Sequence, residues 1–191
     1  MTDKPDEYYI KETLNGNVNA YTFLVKRYNY MVFTLAVRII KNREDAEEIA
    51  QDVFVKGYRN LANFKGDSKF STWIYKIAYY ASLDKLKSNK RQVNAENIDV
   101  IKGAYLEDSH NSHSELHDNE RKNIINKALL KLSEEDRVIV TLYYFEELPV
   151  KEIVIVVGLS EDNVKVKLFR ARKKLAELLK NVIEINTIDL L

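Results

Sequence analysis

Residues 150–168 read VKEIVIVVGLSEDNVKVKL, and this stretch decides the fold of the carboxy-terminal part of the chain. Pro149 opens a short helix, Gly158 supplies the positive φ of a tight turn, and Ser160 can cap the helix that follows. The apolar positions match the shared core of two such helices: Ile153, Val157, Leu159, Val164 and Leu168. The pattern predicts a helix-turn-helix. An ordinary helical hairpin would need the glycine, the serine and the spacing to coincide by chance.

The helix after the turn has an apolar stripe and, opposite it, a basic face that also carries Phe169. Insertion into a major groove requires cations for phosphates, Asn and Arg for base edges, and a small apolar group such as Val166 for a thymine methyl. This helix offers all three. We therefore predict a DNA-binding surface made of Ser160, Asn163, Lys165, Val166, Lys167, Arg170 and Lys173.

Composition indicates helices throughout the 191 residues, of which 46% are apolar and 31% charged. Only 5 Gly and 2 Pro interrupt the chain, and it has no Cys. This excludes a collagenous, disulfide-stapled or wholly disordered protein, and it disfavours a sheet with many turns. An all-α fold is predicted.

The net charge of +1 hides a segregation of charge along the chain. Residues 65–91 hold seven basic and two acidic residues, and residues 160–180 hold seven basic and three acidic ones. Between them, residues 92–120 hold seven acidic residues and one lysine, without helical periodicity. We predict two small helical domains, residues 1–91 and 120–191, joined by a flexible acidic linker over 92–119. The second domain contains the helix-turn-helix.

Three helices are expected in the first domain, after a polar start over residues 1–8. They run from Tyr21 to Ile40, from about Glu44 to Leu61, and from a cap at Ser68 or Ser71 to about Lys87. The second of them opens with acidic residues, as the helix dipole prefers.

Aromatic and basic residues mix on the third of these helices and on the loop before it. Rings beside cations form a surface for unpaired bases, because bases stack on rings and cations hold phosphates. The residues concerned are Lys65, Gly66, Asp67, Ser68, Lys69, Trp73, Lys76, Tyr79 and Tyr80. The alternative is a central helix packed on two sides, in which the rings are core.

Together these segments resemble the bacterial sigma-70 family of transcription initiation factors, specifically the small extracytoplasmic-function (ECF) group. Residues 42–54, NREDAEEIAQDVF, look like the family's polymerase-docking region, and residues 64–87 look like its region for the −10 promoter element. Residues 132–140, LSEEDRVIV, and 164–175, VKVKLFRARKKL, look like its domain for the −35 element.

The resemblance implies an initiation factor that binds core RNA polymerase, reads the −35 element and melts the −10 element of promoter DNA. A cytoplasmic location is predicted separately, from the polar start and the lack of a long apolar run. It implies an anti-sigma factor as a further partner. The docking residues it implies are Asp45, Glu47, Glu48, Gln51 and Asp52. Two alternatives remain open: a free-standing helix-turn-helix regulator, and a helical adaptor that binds only protein.

Enzyme activity, cofactors and metal are not expected. No nucleophile, glycine loop or histidine pair lies on a predicted rigid element. The three histidines, His110, His113 and His117, lie in the polar linker without a cysteine, so a metal site is rejected. No apolar run is long enough to cross a bilayer, and no membrane insertion is expected.

Overall fold

The computed structural model divides into two compact units and describes residues 4–93 and 124–188, with side chains described over 4–89 and 124–180. Within these ranges all regular structure is helical, which confirms the all-α prediction. The first unit contains α1 (Asp6–Leu14), α2 (Val18–Ile40), α3 (Arg43–Arg59), a 3-10 turn (Leu61–Asn63) and α4 (Phe70–Val93). The carboxy-terminal part of the chain contains α5 (124–130), α6 (Glu134–Tyr144), α7 (Val150–Val157) and α8 (Glu161–Ile188), and of these α5, α6, α8 and the start of α7 belong to the second unit.

Helix α2 is the centre of the first unit and packs against α1, α3 and α4. Its apolar side chains Leu24, Val32 and Leu35 are fully buried. The helix ends at Ile40, and the following residue, Lys41, takes a left-handed conformation (φ 62°) and donates its N–H to the Val37 carbonyl at 2.8 Å. Because Lys41 turns the chain so tightly, α3 follows at once and packs back against α2.

A side-chain cap fixes the start of α3. The Asn42 Oδ1 atom accepts a hydrogen bond from the Asp45 backbone N–H at 2.9 Å, and acidic residues fill the first turn. Both features stabilise a helix amino terminus. The helix therefore begins at Arg43, one residue before the predicted start.

Gly57 lets the helices of the first unit approach closely. A Cβ atom at this position would lie 2.7 Å from the Tyr21 hydroxyl and 2.9 Å from Ile74 Cδ1. The Tyr21 hydroxyl is held there because it donates to the Phe54 carbonyl at 2.9 Å. The glycine thus joins α2, α3 and α4 at one point, where no side chain would fit without a shift.

Helix α4 packs on both sides, against α2 and against α3. Ile74 and Tyr75 are both fully buried although they lie on different faces of the helix. The structure therefore confirms the central-helix alternative for most of its rings. Neither Ser68 nor Ser71 occupies the cap position: the Lys69 carbonyl accepts the first helical bond, from the Trp73 N–H at 3.1 Å. Helix α4 therefore begins at Phe70, directly after the loop and without a side-chain cap from either serine.

Helix α1 was not predicted from the sequence. It buries Tyr9, Ile10 and Thr13, and its remaining residues are mostly polar, so its periodicity is too weak to read. Asp6 binds Arg27 and Tyr28 of α2, which fastens the start of the helix. Within residues 4–93 the structure therefore shows four α-helices where three were predicted.

The second unit is organised around α6 and α8, which pack on each other. Its core cluster includes Leu129, Leu132, Val140 and Ala171, with Leu175 packed against it. The Ser133 Oγ atom caps α6 by accepting the Asp136 N–H at 3.2 Å, as the sequence predicts.

Of the two predicted domain boundaries, the one between residues 91 and 92 lies within α4, and the one between residues 119 and 120 lies outside the described residues. Helix α4 runs to Val93, past the predicted end near Lys87 and into the segment 92–119. The rest of that segment, with its three histidines, lies outside the described residues. The division into 1–91, 92–119 and 120–191 stays a prediction.

Candidate nucleic-acid and protein interfaces

Aromatic rings anchor both ends of the loop 65–69. Phe64 packs edge-on against Phe70, with ring centroids 5.8 Å apart, and lies 5.4 Å from the Trp73 ring. Trp73 is half-buried in this cluster. Gly66 takes a left-handed conformation (φ 76°) between the anchors, which a side chain would strain. The loop therefore projects its exposed residues from a fixed base: Lys65, Gly66, Asp67 and Lys69, with Ser68 half-buried.

The face of α4 beside this loop carries three of the predicted residues. Trp73, Lys76 and Tyr80 share one side of the helix, since they are three and four residues apart. Lys76 is exposed and Tyr80 is 43% exposed. These positions leave ring and ammonium groups available to a ligand.

Tyr79 does not belong to that surface. Its side chain is only 5% exposed, because α4 packs on both sides. Its ring lies 5.2 Å from the Tyr80 ring in an edge-on arrangement. Tyr79 therefore supports Tyr80 from within the unit and offers no free face for a base.

Helix α1 lies beside the loop 65–69 and contributes residues to this surface, which the sequence did not predict. A shallow cavity of about 340 Å³ lies between α1 and the loop, lined in part by Ile10, Leu14, Phe64 and Gly66. Lys11 and Lys65 also line it. Weak periodicity concealed α1 in the sequence, and with it this cavity.

The turn between α7 and α8 has the predicted geometry. Gly158 takes a left-handed conformation (φ 72°), and the Ser160 Oγ atom accepts the Asn163 N–H at 3.3 Å. Val164 and Leu168 are buried on the inner side of α8. The amino-terminal half of α8 is thereby fixed with its opposite side exposed.

The exposed side of α8 presents a stripe of predicted residues at helical spacing. They are Asn163, Val166, Arg170 and Lys173. Val166 is 46% exposed, and the neighbouring Phe169 is 65% exposed. Phe169 was not among the predicted binding residues, although the sequence places it on the outer side of this helix.

Two of the predicted lysines on α8 are engaged by carboxylates. Lys165 pairs with Glu161 one turn earlier at 2.7 Å, and this hydrogen bond raises the Lys165 pKa. Lys167 reaches α6, where its Nζ atom lies 2.6 Å from Glu135 and 4.0 Å from Asp136. Arg170 and Lys173 are the more available cations, since no ion pair to them occurs within the described side chains.

The acidic surface of α3 is exposed except at Asp45. Glu47, Glu48, Gln51 and Asp52 all face solvent. Glu47 accepts a hydrogen bond from Arg43 Nε at 3.0 Å. Asp45 is half-buried and bound by Lys85 and Asn89 of α4. The predicted docking residues therefore form one surface, but Asp45 is largely used within the unit.

A groove of about 320 Å³ adjoins this acidic surface. It runs between α2 and α3, and the α2 side was not predicted. Its lining residues are Asn29, Phe33, Arg43, Glu47, Ala50 and Gln51. The Arg43 guanidinium lies over the Phe33 ring, 5.6 Å from its centroid. The groove thus combines ring, amide and charged groups.

Within the described residues, no cluster of three or more His, Cys, Asp or Glu side chains could hold a metal ion. No helix in this part of the chain is long and apolar enough to cross a membrane.

Two family models match the chain in the order expected from the sequence. The model described as Sigma-70 region 2 matches residues 24–92, and the model described as Sigma-70, region 4 matches residues 122–175.

Similar proteins cover nearly the whole chain. The RNA polymerase sigma-H factor of Pseudomonas aeruginosa is 29% identical over 185 residues, which is 94% of this chain and 96% of that protein. The ECF RNA polymerase sigma-E factor of Escherichia coli is 28% identical over 174 residues, covering 88% of this chain and 91% of that protein.

Solved structures share the fold. CnrH, in complex with the cytosolic domain of CnrY, has a TM-score of 0.69 at 21% identity, covering 93% of this chain and 99% of that chain. The sigma factor RpoE from Bartonella quintana, in complex with the anti-sigma factor NepR, has a TM-score of 0.71 at 20% identity, covering 84% and 96%.

Proposed function

The chain belongs to the sigma-70 family, in its extracytoplasmic-function group. From this membership we propose which step of promoter-directed transcription initiation each described surface performs. As a member of this family it is not an enzyme: it directs core RNA polymerase to promoter DNA. The observation that carries this function is the pair of family matches, at residues 24–92 and 122–175, within one chain. A free-standing helix-turn-helix regulator does not require the first of them.

Helix α3 docks on core polymerase in this proposal. Its exposed carboxylates and the adjoining groove offer negative charge beside ring and amide groups, which suits a basic partner surface. Glu47, Glu48, Gln51 and Asp52 make the contact, and Phe33 and Asn29 extend it onto α2. Asp45 contributes mainly by holding α3 against α4.

The loop 65–69 and the exposed face of α4 take the unpaired bases of the −10 element. Tyr80 and Trp73 supply rings, and Lys65, Lys69 and Lys76 supply cations for phosphates. The shallow cavity between α1 and the loop is apolar enough to receive one unstacked base.

Helix α8 reads the −35 element in the major groove. Asn163, Val166 and Arg170 approach base edges, and Lys173 binds a phosphate. Lys165 and Lys167 already have carboxylate partners, so they contribute less to DNA affinity than their charge suggests.

A protein inhibitor completes the proposal. Both solved structures with the shared fold contain a second protein, which in one case is described as an anti-sigma factor. We propose that this chain likewise binds an anti-sigma factor, and that it works in the cytoplasm together with the polymerase.

Transcription with core polymerase tests the function directly. Core enzyme and the full chain are incubated on fragmented genomic DNA, and the transcript starts are mapped. Starts that share upstream elements and require the chain support the proposal. Specific DNA binding that is equally strong without core enzyme would instead favour a free-standing regulator, and capture of an unrelated protein without promoter activity would favour an adaptor.

A further inference from the structure

Lys85 of α4 lies between two carboxylates of the docking helix α3. Its Nζ atom is 2.7 Å from Glu48 Oε2 and 3.3 Å from Asp45 Oδ1. Asn89 Nδ2 donates to the other oxygen of Asp45 at 2.9 Å. Both oxygens of Asp45 therefore have partners within the chain, and Glu48 already has a cation.

Among the described side chains, no cation from another helix pairs with the other carboxylates of this surface. Glu47 pairs with Arg43 on its own helix at 3.0 Å. Asp52 makes no ion pair with any described side chain and is exposed. Among the described side chains of α4, Lys85 is thus the cation that reaches the acidic face of α3.

The pair between Lys85 and Glu48 is accessible to a partner. The Glu48 side chain is 62% exposed and the Lys85 side chain 29% exposed. Lysine is charged at neutral pH, and the hydrogen bond to Glu48 raises the Lys85 pKa further. A surface ion pair is weak in water, so a partner cation that reaches Glu48 displaces Lys85 at little cost.

We propose that Lys85 is an internal counter-ion which lowers the affinity of α3 for core polymerase by occupying Asp45 and Glu48. This inference rests on the proposed docking of α3. A basic partner surface either meets a weakened negative field or first displaces the lysine, and each reduces affinity. Full docking strength is then reached only when Lys85 leaves the pair.

The test is a binding titration of the labelled full chain against core polymerase, without DNA, at two salt concentrations. Lys85→Met is expected to tighten binding about two- to five-fold at low salt, and salt should reduce the gain because the effect is electrostatic. Lys87→Met is the matched control, since it removes the same charge from an exposed position on α4 that has no carboxylate partner within the described side chains. It should leave the affinity near that of the unmodified chain.

A second comparison isolates the pair itself. Glu48→Gln should weaken docking more in the Lys85→Met background than in the unmodified chain, because only there is the carboxylate unneutralised. Lys85→Gln serves if the methionine variant lowers helicity. Weaker or unchanged docking of the Lys85 variants, or equal tightening by Lys87→Met, overturns the inference.

Asp52→Asn separates this inference from the proposed function. If Asp52→Asn weakens docking and Lys85→Met does not tighten it, only the counter-ion role fails. If neither Asp52→Asn nor the Lys85 variants change the affinity for core polymerase, the docking surface on α3 is itself misassigned. If Asp52→Asn does not change the affinity and Lys85→Met increases it, the counter-ion role is supported and Asp52 does not contact the polymerase.

Discussion

Helices α4 and α8 both carry mixed aromatic and basic residues, yet the structure uses the two patterns differently. On α4 the rings of Tyr75 and Tyr79 are buried, and only Tyr80 is largely exposed. On α8 the outer apolar residues Val166 and Phe169 remain exposed. The difference arises because α4 packs against two helices and is buried on two faces. The buried residues of α8, which are Val164, Leu168 and Ala171, lie on one face. A ring beside a lysine therefore indicates a nucleic-acid surface only where one side of the helix stays free.

The sharpest test of the comparison is Tyr75→Ala on α4. Because the ring is fully buried, its loss should lower the free energy of unfolding by about 3–5 kcal/mol. Tyr80→Ala, on the exposed side, should change it by no more than about 0.5 kcal/mol. Denaturant unfolding followed by helical circular dichroism measures both, and equal losses would mean that Tyr80 is part of the core.

Tyr80→Ala should instead impair strand opening. Stacking of a base on an aromatic ring is worth about 1–3 kcal/mol, so open complexes should fall by about five- to 150-fold while closed complexes form normally. Permanganate footprinting of the −10 element measures the opening. A template with a preformed bubble should restore transcription, and normal footprints with Tyr80→Ala would remove this residue from the −10 surface.

On α8, base-reading and phosphate-binding residues should behave differently. Asn163→Ala and Val166→Ala should alter base preference at the −35 element, at about 1–3 kcal/mol for a base contact. Lys173→Ala should weaken all sites alike and reduce the salt slope by about one. Binding of single variants to a panel of altered −35 sites separates the two classes, and an unchanged preference for both α8 variants would show that the helix docks in another register.

Gly57→Ala tests how closely α4 packs against α2 and α3 at the point where Gly57 lies. Alanine normally favours a helix over glycine by about 1 kcal/mol, so an uncrowded site would gain stability. Here the added Cβ meets the Tyr21 hydroxyl and Ile74, and we expect a net loss of about 1–2 kcal/mol. Thermal unfolding decides the sign, and a raised melting temperature would show that Tyr21 moves aside freely.

Much of the fold could be predicted because local signals were strong. Ser133, Gly158 and Ser160 each act as the sequence indicates, through a cap or a left-handed turn. The signal failed where tertiary packing decides: α1 is polar along most of its length and is held by Asp6 and by three buried side chains. Periodicity cannot reveal such a helix.

The candidate surfaces were predictable in location and less so in detail. Charge and residue type identified α3, the loop and α8, but no pattern in the sequence shows that Asp45 is held by Lys85, forty residues later. The same applies to Lys167, which turns toward Glu135 on another helix. Ion pairs between helices depend on side-chain directions that exist only in the folded unit.

The aromatic residues at the two ends of the loop 65–69 fix the loop independently of most of its own side chains. Phe64, Phe70 and Trp73 hold its two ends through ring contacts that do not involve the side chains of Lys65 or Asp67. Substitutions at Lys65 and Asp67 therefore carry little folding cost, whereas a side chain at Gly66 would strain the backbone. On the proposed role of this loop, promoter preference can diverge among descendants of this chain while the scaffold stays the same. The same property would let an engineer graft foreign loops of equal length that keep a glycine at position 66, and test them for new promoter choices without redesigning the helices.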